Sequence, residues 1–248
     1  MMINRKERRW MAVSCSHGHL INKSAAEEVL KFRDEYKPHT TIHLGDYTDL
    51  SALMGKAVRS GEGGDIMEDL SYGIEFLRNL RPTTVFHGNH EERIFRLLDE
   101  SNSELVRFAA GECLNKINSL IKQLKADTVP YLGMSNPDSY RNLGGTLFTH
   151  GYAFGMMAAR DHVESTGRPI VMGHIHKIAQ QPGRLPGAPT GYAIGCLCDI
   201  PSMAYARNRR ETASWDHAYA FGSWSDNYCT VNIQRIKQWQ PAKYKQMK

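Results

Sequence analysis

The strongest constraint on this chain is a recurrence: a short apolar run ends, again and again, in a turn carrying Cys, Asp, Asn or His. Trp10 to Val13 runs into Ser14-Cys15-Ser16-His17, Thr40 to Leu44 into Gly45-Asp46, and Thr83 to Phe86 into His87-Gly88-Asn89-His90. Thr146 to Phe148 is followed by His150-Gly151, and Ile170 to Met172 by Gly173-His174-Ile175-His176. Short apolar runs bounded by turn formers read as buried strands. Strands alternating with helical segments make an α/β fold. Polar residues at strand ends collect on one rim of such a sheet, the usual place for an α/β active site. The pattern therefore predicts that Cys15, His17, Asp46, Asn89, His90, His150, His174 and His176 meet at one edge.

The intervening segments read as helices and loops. Ser24-x-x-Glu27 has the form of a capping box, followed by the apolar face Val29, Leu30 and Phe32 and closed by Pro38. Gly61-Glu62-Gly63-Gly64 reads as a loop and Ile66 to Leu80 as a helix. Residues 91–126 carry two helical stripes, one of Ile94, Leu97 and Leu98 and one of Leu114, Ile117, Leu120, Ile121 and Leu124, and predict a helical insertion. After Gly183 the composition turns to Gly, Pro and Tyr, then to strand-like runs at Tyr192–Leu197, Ala218–Trp224 and Tyr228–Ile236. With no repeat, low-complexity tract or linker in view, the expectation is one domain over residues 1–248, long enough to bury a sizeable core.

Composition narrows the function classes. No apolar run approaches the roughly 18 residues of a membrane span, and the charged N-terminus lacks the apolar stretch of a signal peptide. Five cysteines are too few and odd in number for a secreted disulfide scaffold. The expectation is a cytoplasmic protein without a membrane partner. Lys and Arg number 31 against 26 Asp and Glu, a net charge of +5 that permits an anionic partner. The positive charge gathers at Arg5, Lys6, Arg8 and Arg9, at Arg207, Arg209 and Arg210, and at Lys243, Lys245 and Lys248, a distribution that reads as solvated ends.

Carboxylate, amide and imidazole are oxygen and nitrogen donors suited to divalent first-row metals. This inventory exceeds the needs of a single four-coordinate ion. Two ions sharing a bridging carboxylate would use it fully, and such pairs lie about 3.5–4 Å apart in phosphate-cleaving enzymes. Cys15-Ser16-His17, Gly45-Asp46, Gly88-Asn89-His90-Glu91, His150-Gly151 and Gly173-His174-Ile175-His176 together resemble the motifs of the calcineurin-like metallophosphoesterases. Those run D-x-H, G-D, G-N-H-E/D, a lone H and G-H-x-H, in this order.

The resemblance implies a metallophosphoesterase-type α/β fold, a central β-sandwich flanked by helices, and a cofactor of two divalent ions (Mn, Zn or Fe). It implies one ion held by the Cys15 position, His17, Asp46 and His176, and a second held by Asp46 as bridge with Asn89, His150 and His174. It makes His90 the catalytic imidazole that protonates the departing oxygen, with Asn89 positioning the phosphate. Asp49 fits the second acid of G-D-x-x-D, which orients that histidine and supports its charged form. The arginine that follows this acid in the phosphatase branch is absent, since Leu50 and Ser51 stand there, which speaks against a phosphoprotein phosphatase.

Cys15 occupies the family's metal-binding Asp position. As a thiolate ligand it would favour zinc or iron over magnesium; the alternative is a neutral, packed thiol beside a weak first site. Cys196-x-Cys198 lacks the further partners of a zinc clip and reads as two side chains on one packed strand face. Arg93 suits a phosphate contact and a solvent-facing role equally. His43 and His87 read as core or supporting residues, His19, His39, His162 and His217 match no motif, and Trp215 to Trp224 reads as sheet packing. The function expected is two-metal hydrolysis of a phosphate ester. The mild basic balance tilts this toward a phosphodiester, of nucleic acid or nucleotide. The alternatives are a phosphomonoesterase and a non-catalytic phosphate- or nucleic-acid-binding protein with a degenerate metal site.

Overall fold

Side chains alternate across β1 (Arg8–Val13): Trp10 and Ala12 enter one core, Met11 and Val13 another. This period of two organises the whole molecule, whose computed structural model describes residues 7–53, 64–203 and 214–236. Residues 61–63 of the loop expected at Gly61-Glu62-Gly63-Gly64 and the basic residues Arg5, Lys6, Arg207, Arg209, Arg210, Lys243, Lys245 and Lys248 lie outside the described residues.

β1, β2 (Thr40–His43), β3 (Thr84–Phe86) and β4 (Asp127–Val129) run parallel, in that order. A second sheet has the order β5-β6-β7-β9-β8, built from β5 (Arg141–Leu143), β6 (Thr146–Thr149), β7 (Ile170–Met172), β8 (Ile178–Pro182) and β9 (Thr190–Ile194). Its β6, β7 and β9 are parallel. β10 (Ala218–Ser225) returns antiparallel to β1 and carries β11 (Tyr228–Cys229) and β12 (Asn232–Arg235).

The sheets face each other across one apolar layer. Trp10, Ala12, Ile42, Leu44, Phe86 and Ala220 come from the first sheet or its ends, and Leu143, Phe148, Val171 and Ile194 from the second. Trp10 and Phe148 meet edge to face at 4.8 Å between ring centroids, a contact worth about 0.5–1.5 kcal/mol beyond area burial. The opposite face of β1 packs Met11 and Val13 against Ala25 and Val29 of α1 (Lys23–Tyr36) and Phe76 and Leu80 of α2 (Ile66–Leu80). Parallel strands covered on both faces need continuous apolar runs, which is why these strands read so clearly in the sequence.

Residues 91–126 form two helices, α3 (Glu92–Glu100) and α4 (Glu104–Leu124), divided where Ser103 caps α4 by accepting the Val106 N–H at 3.4 Å. Their stripes, Ile94 on α3 and Ala110, Ile117 and Leu120 on α4, pack with Leu70 and Leu77 of α2 and Val85 of β3. The predicted helical insertion is thus part of the helical layer outside the first sheet. On the far side, α5 (Ala158–Thr166) lays Ala158, Ala159 and Val163 on Leu147, Ile170, Met172 and Ala193. The result is the expected α/β fold, a β-sandwich flanked by helices.

Two local readings change. The cap of α1 is Asn22, whose side chain accepts the Ala25 N–H at 3.0 Å, so Ser24 lies inside the first turn and the Ser24–Glu27 box does not form. Asn22 is as good a cap as Ser, and its backbone N–H is fixed to the Leu197 carbonyl at 2.8 Å, which starts the helix early. Tyr228–Ile236 divides into β11 and β12 rather than one strand. Among the described residues no helix is long and apolar enough to cross a membrane.

Candidate metal centre

The strand ends are knitted together before any side chain acts. The turn after β1 donates to the turn after β2, Cys15 N–H to the Gly45 carbonyl and His17 N–H to the Asp46 carbonyl, both at 3.0 Å. Cys15, His17, Asp46, His174 and His176 all have positive φ, between 53° and 66°. The left-handed region costs an L-residue roughly 1–2 kcal/mol, and such strain clusters at functional sites. Glycine is needed where the turns touch. A Cβ at Gly88 would lie 2.2 Å from Asp46 Oδ1, so only glycine lets the turn after β3 close on Asp46.

Two groups of donors result, and Asp46 belongs to both. Donor atoms of Cys15, His17, Asp46 and His176 all lie within 4.8 Å of one another, as do those of Asp46, His150 and His174. His17 Nε2 is 3.1 Å from His176 Nε2 and 4.0 Å from Asp46 Oδ2. His150 Nε2 is 3.2 Å from Asp46 Oδ2 and 3.1 Å from Asn89 Oδ1, which brings Asn89 into the second group. His150 Nδ1 lies 2.6 Å from the Leu44 carbonyl. A carbonyl only accepts, so Nδ1 carries the proton and Nε2 is turned to the group as a donor atom, the arrangement typical of ligating histidines. These nitrogen, oxygen and sulfur sets fit divalent transition-metal ions.

His90 stands beside both groups, with Nε2 3.9 Å from Asp46 Oδ2. Its Nδ1 lies 2.5 Å from the Asp49 carbonyl and 3.3 Å from Asp49 Oδ1. Asp49 Oδ1 also lies 3.1 Å from His17 Nδ1, so one carboxylate orients two imidazoles. Arg93, open to both readings in the sequence, turns inward: Nη1 donates to the Asp49 carbonyl at 2.6 Å and Nη2 comes within 3.4 Å of His90 Nε2.

Two carboxylates to which the sequence reading gave no role hold this frame. Buried Glu91 accepts the backbone N–H groups of Asp46 (2.9 Å), Thr48 (2.9 Å) and Gly88 (2.8 Å). Asp69, on α2, accepts from the N–H groups of Asp49 (3.1 Å) and Leu50 (2.7 Å), and from His19 N–H at 3.3 Å. The signal for Asp69 was its place on the buried face of α2, beside Leu70 and in step with Gly73 and Phe76. His43, read as a supporting residue, is one: Nε2 meets Ser16 Oγ at 3.1 Å and Nδ1 accepts the Gly45 N–H at 3.2 Å.

Electrostatics sets His17, His174 and His176 apart from His90 and His150. Burial and the neighbouring His90 lower the His17 pKa, burial and His17 lower that of His176, and burial and His150 push that of His174 down to about 3. All three are thus neutral donors. Burial also opposes a charge on His90, but Asp46 and Asp49 outweigh it and raise its pKa, the direction an acid needs. His150 is raised in the same way, burial being overcome by Asp46. Burial works against charged Asp46 and Asp49, yet their histidines hold both below the usual carboxylate range.

Cys15 is fully buried, with a pKa raised by burial, Asp46 and Cys196, and it accepts the His174 N–H at 3.3 Å. It sits in a cluster with Cys196, Cys198 and Met203. Trp215, in the span read as sheet packing, bridges to Lys177 and places its ring edge to face against His176 at 4.2 Å. Beyond the centre, Tyr131 and Tyr152 stack at 4.4 Å, and Tyr131 meets His150 edge to face at 5.8 Å. Of the histidines that match no motif, His39 accepts the Arg9 N–H, His162 that of Tyr152, and His217 contacts the Cys198 carbonyl, all as structural groups.

Comparison with known proteins adds the family. The description calcineurin-like phosphoesterase matches residues 9–178. No curated protein matches the chain. Among solved structures it is similar to Yfce, a phosphoesterase from E. coli, at 15% identity and a TM-score of 0.39, covering 92% of this chain and 100% of that one. It is similar to a dimetal phosphatase from Danio rerio at 11% identity and a TM-score of 0.45, covering 92% and 96%. It is also similar to Vps29 complexed with zinc from Entamoeba histolytica at 13% identity and a TM-score of 0.39, covering 92% and 98%.

Proposed function

Given that this chain belongs to the calcineurin-like phosphoesterase family, and so is a metal-dependent hydrolase of phosphate esters, we propose that it cleaves phosphodiesters with two divalent cations. The observation that carries the two-metal reading is the sharing of Asp46 by two donor groups. In this reading Cys15, His17, Asp46 and His176 hold one cation, and Asp46, Asn89, His150 and His174 the other. Such cations supply charge for the developing phosphoryl oxygens and lower the pKa of an attacking water.

The protein's own groups do the rest. Asn89, beside His150, positions the phosphate. His90 keeps its proton under the pull of Asp46 and Asp49 and delivers it from Nε2 to the departing oxygen. Asp49 fixes the His90 ring through Nδ1, so the proton-bearing nitrogen faces the centre rather than rotating away. Arg93, a rigid planar donor, closes the phosphate side of His90. The net charge of +5 suits a polyanionic or nucleotide substrate. Turnover of bis-p-nitrophenyl phosphate against p-nitrophenyl phosphate with Mn2+ tests the choice. The diester is expected to be the better substrate, and much faster hydrolysis of the monoester would overturn that half of the reading.

A further inference from the structure

We propose that His176, Cys196 and Cys198 form an additional cation site, beside the catalytic pair, that takes a thiophilic divalent ion of the zinc class. A ring nitrogen of His176 and the two sulfurs lie within 4.8 Å of one another, and all three residues are buried. The sequence reading rejected a zinc clip here because two thiols lacked partners. The fold supplies one, from a turn 20 residues earlier in the chain.

The histidine has a nitrogen to spare. Its Nε2 faces His17 at 3.1 Å, on the catalytic side. Its Nδ1 is buried and, among the described residues, has no hydrogen-bond partner. A buried polar group left unmade costs about 1–3 kcal/mol, and few native groups are left that way. In the proposed site Nδ1 is the nitrogen that takes the cation, which removes that cost. The thiols are held by weak contacts that an ion can replace: they hydrogen-bond each other, and the Cys196 sulfur makes a long contact, 3.6 Å, to the Asp216 carbonyl.

The segment is also held in place. Beyond β9, Leu197 N–H donates to the Cys15 carbonyl at 3.1 Å, Cys198 bridges to Ile21, and Cys196 bridges to His217. Leu197 turns into the core under α1 while both flanking cysteines turn into the thiol cluster with Cys15 and Met203. Two sulfurs and one imidazole suit zinc and its softer relatives and suit magnesium poorly. The Trp215 ring against His176 adds an apolar wall. Each thiol releases its proton to solvent as the ion binds, and with His176 serving the catalytic cation through its other nitrogen the ring N–H proton leaves as well, so that the ring bridges the two ions as an imidazolate.

X-ray absorption at the zinc edge tests this without relying on turnover. Metal-stripped protein is loaded with zinc alone, as wild type, as Cys15→Ala and as the double variant Cys196→Ala/Cys198→Ala. Alanine keeps the cluster apolar, and circular dichroism checks the fold. A sulfur shell near about 2.3 Å is expected in the wild type and in Cys15→Ala. The double variant should lose that shell except for any sulfur from Cys15, and should bind one zinc fewer per chain. A wild-type shell of nitrogen and oxygen only, or one that disappears with Cys15→Ala, overturns the proposal. The wild-type spectrum alone decides the first of these, should the double variant fail to fold.

Discussion

The two halves of the metal centre meet at Asp46 and differ in almost everything else. The half made of Cys15, His17 and His176 is buried throughout and includes a sulfur. The half made of Asn89, His150 and His174 offers nitrogen and oxygen only, and its Asn89 and His174 are partly open to solvent. In the proposed two-cation reading, an ion in the open half would exchange and meet substrate directly. One in the sealed half, with Cys15 as ligand, would be selected by softness and released slowly. The comparison teaches that one carboxylate joins a sealed, sulfur-containing donor group to an open one of nitrogen and oxygen, which in the proposed two-cation reading makes a resident side and a working side.

The largest effect is expected at the join. Asp46→Ala should strip cations from both halves and reduce hydrolysis to background, read by metal analysis and turnover of the same samples. A variant that keeps one ion tightly bound would separate the halves. Next comes His90→Ala, which should cost about 10²–10⁴-fold in rate while metal content stays at the wild-type level. That loss should shrink on substrates with good leaving groups, which need little protonation; a variant depleted of metal would instead make His90 a ligand.

Cys15 sharpens the contrast of softness. Cys15→Asp should keep Mn2+-supported activity and gain activity with Mg2+, because a carboxylate offers hard oxygen. Cys15→Ala should lose the sealed-half cation and keep the open-half one. If metal content and rate stay unchanged in Cys15→Ala, Cys15 is packing alone. The smallest effect is expected one step out. Asp49→Asn weakens the hold on both His17 and His90 and should cost about 10–100-fold, the range for groups supporting ligands; a loss confined to metal affinity, with the rate at saturating Mn2+ intact, would show that it serves His17 only.

Which parts of this were legible in the sequence follows from burial. β2, β3, β6 and β7 are covered on both faces, so they appear as apolar runs, and the donors at their ends could be placed from the turns that follow. β4, β5 and β8 show no such run because several of their side chains are exposed. The helical insertion was readable from its stripes, but not its place against α2, since packing partners leave no local mark. Glu91 was visible only as a motif letter; its work is to bind the backbone N–H groups of Asp46, Thr48 and Gly88, contacts made by the fold. His176 and the Cys196-x-Cys198 pair were each seen, but not together, because their meeting depends on how β7 and β9 lie side by side.

The left-handed backbone at Cys15, His17, Asp46, His174 and His176 sets the rules for how this rim can change over evolutionary time. Asn, Asp and His enter that conformation several-fold more readily than most residues, whereas β-branched side chains are outliers there. The accessible neighbours of each ligand are therefore themselves metal-binding types, or glycine, which relaxes the strain and deletes the donor. Drift at these positions either exchanges one ligand for another, altering which ion is preferred, or trades catalysis for stability in a single step. Cys15 in place of the family's Asp is, in the proposed ligand set, a change of the first kind.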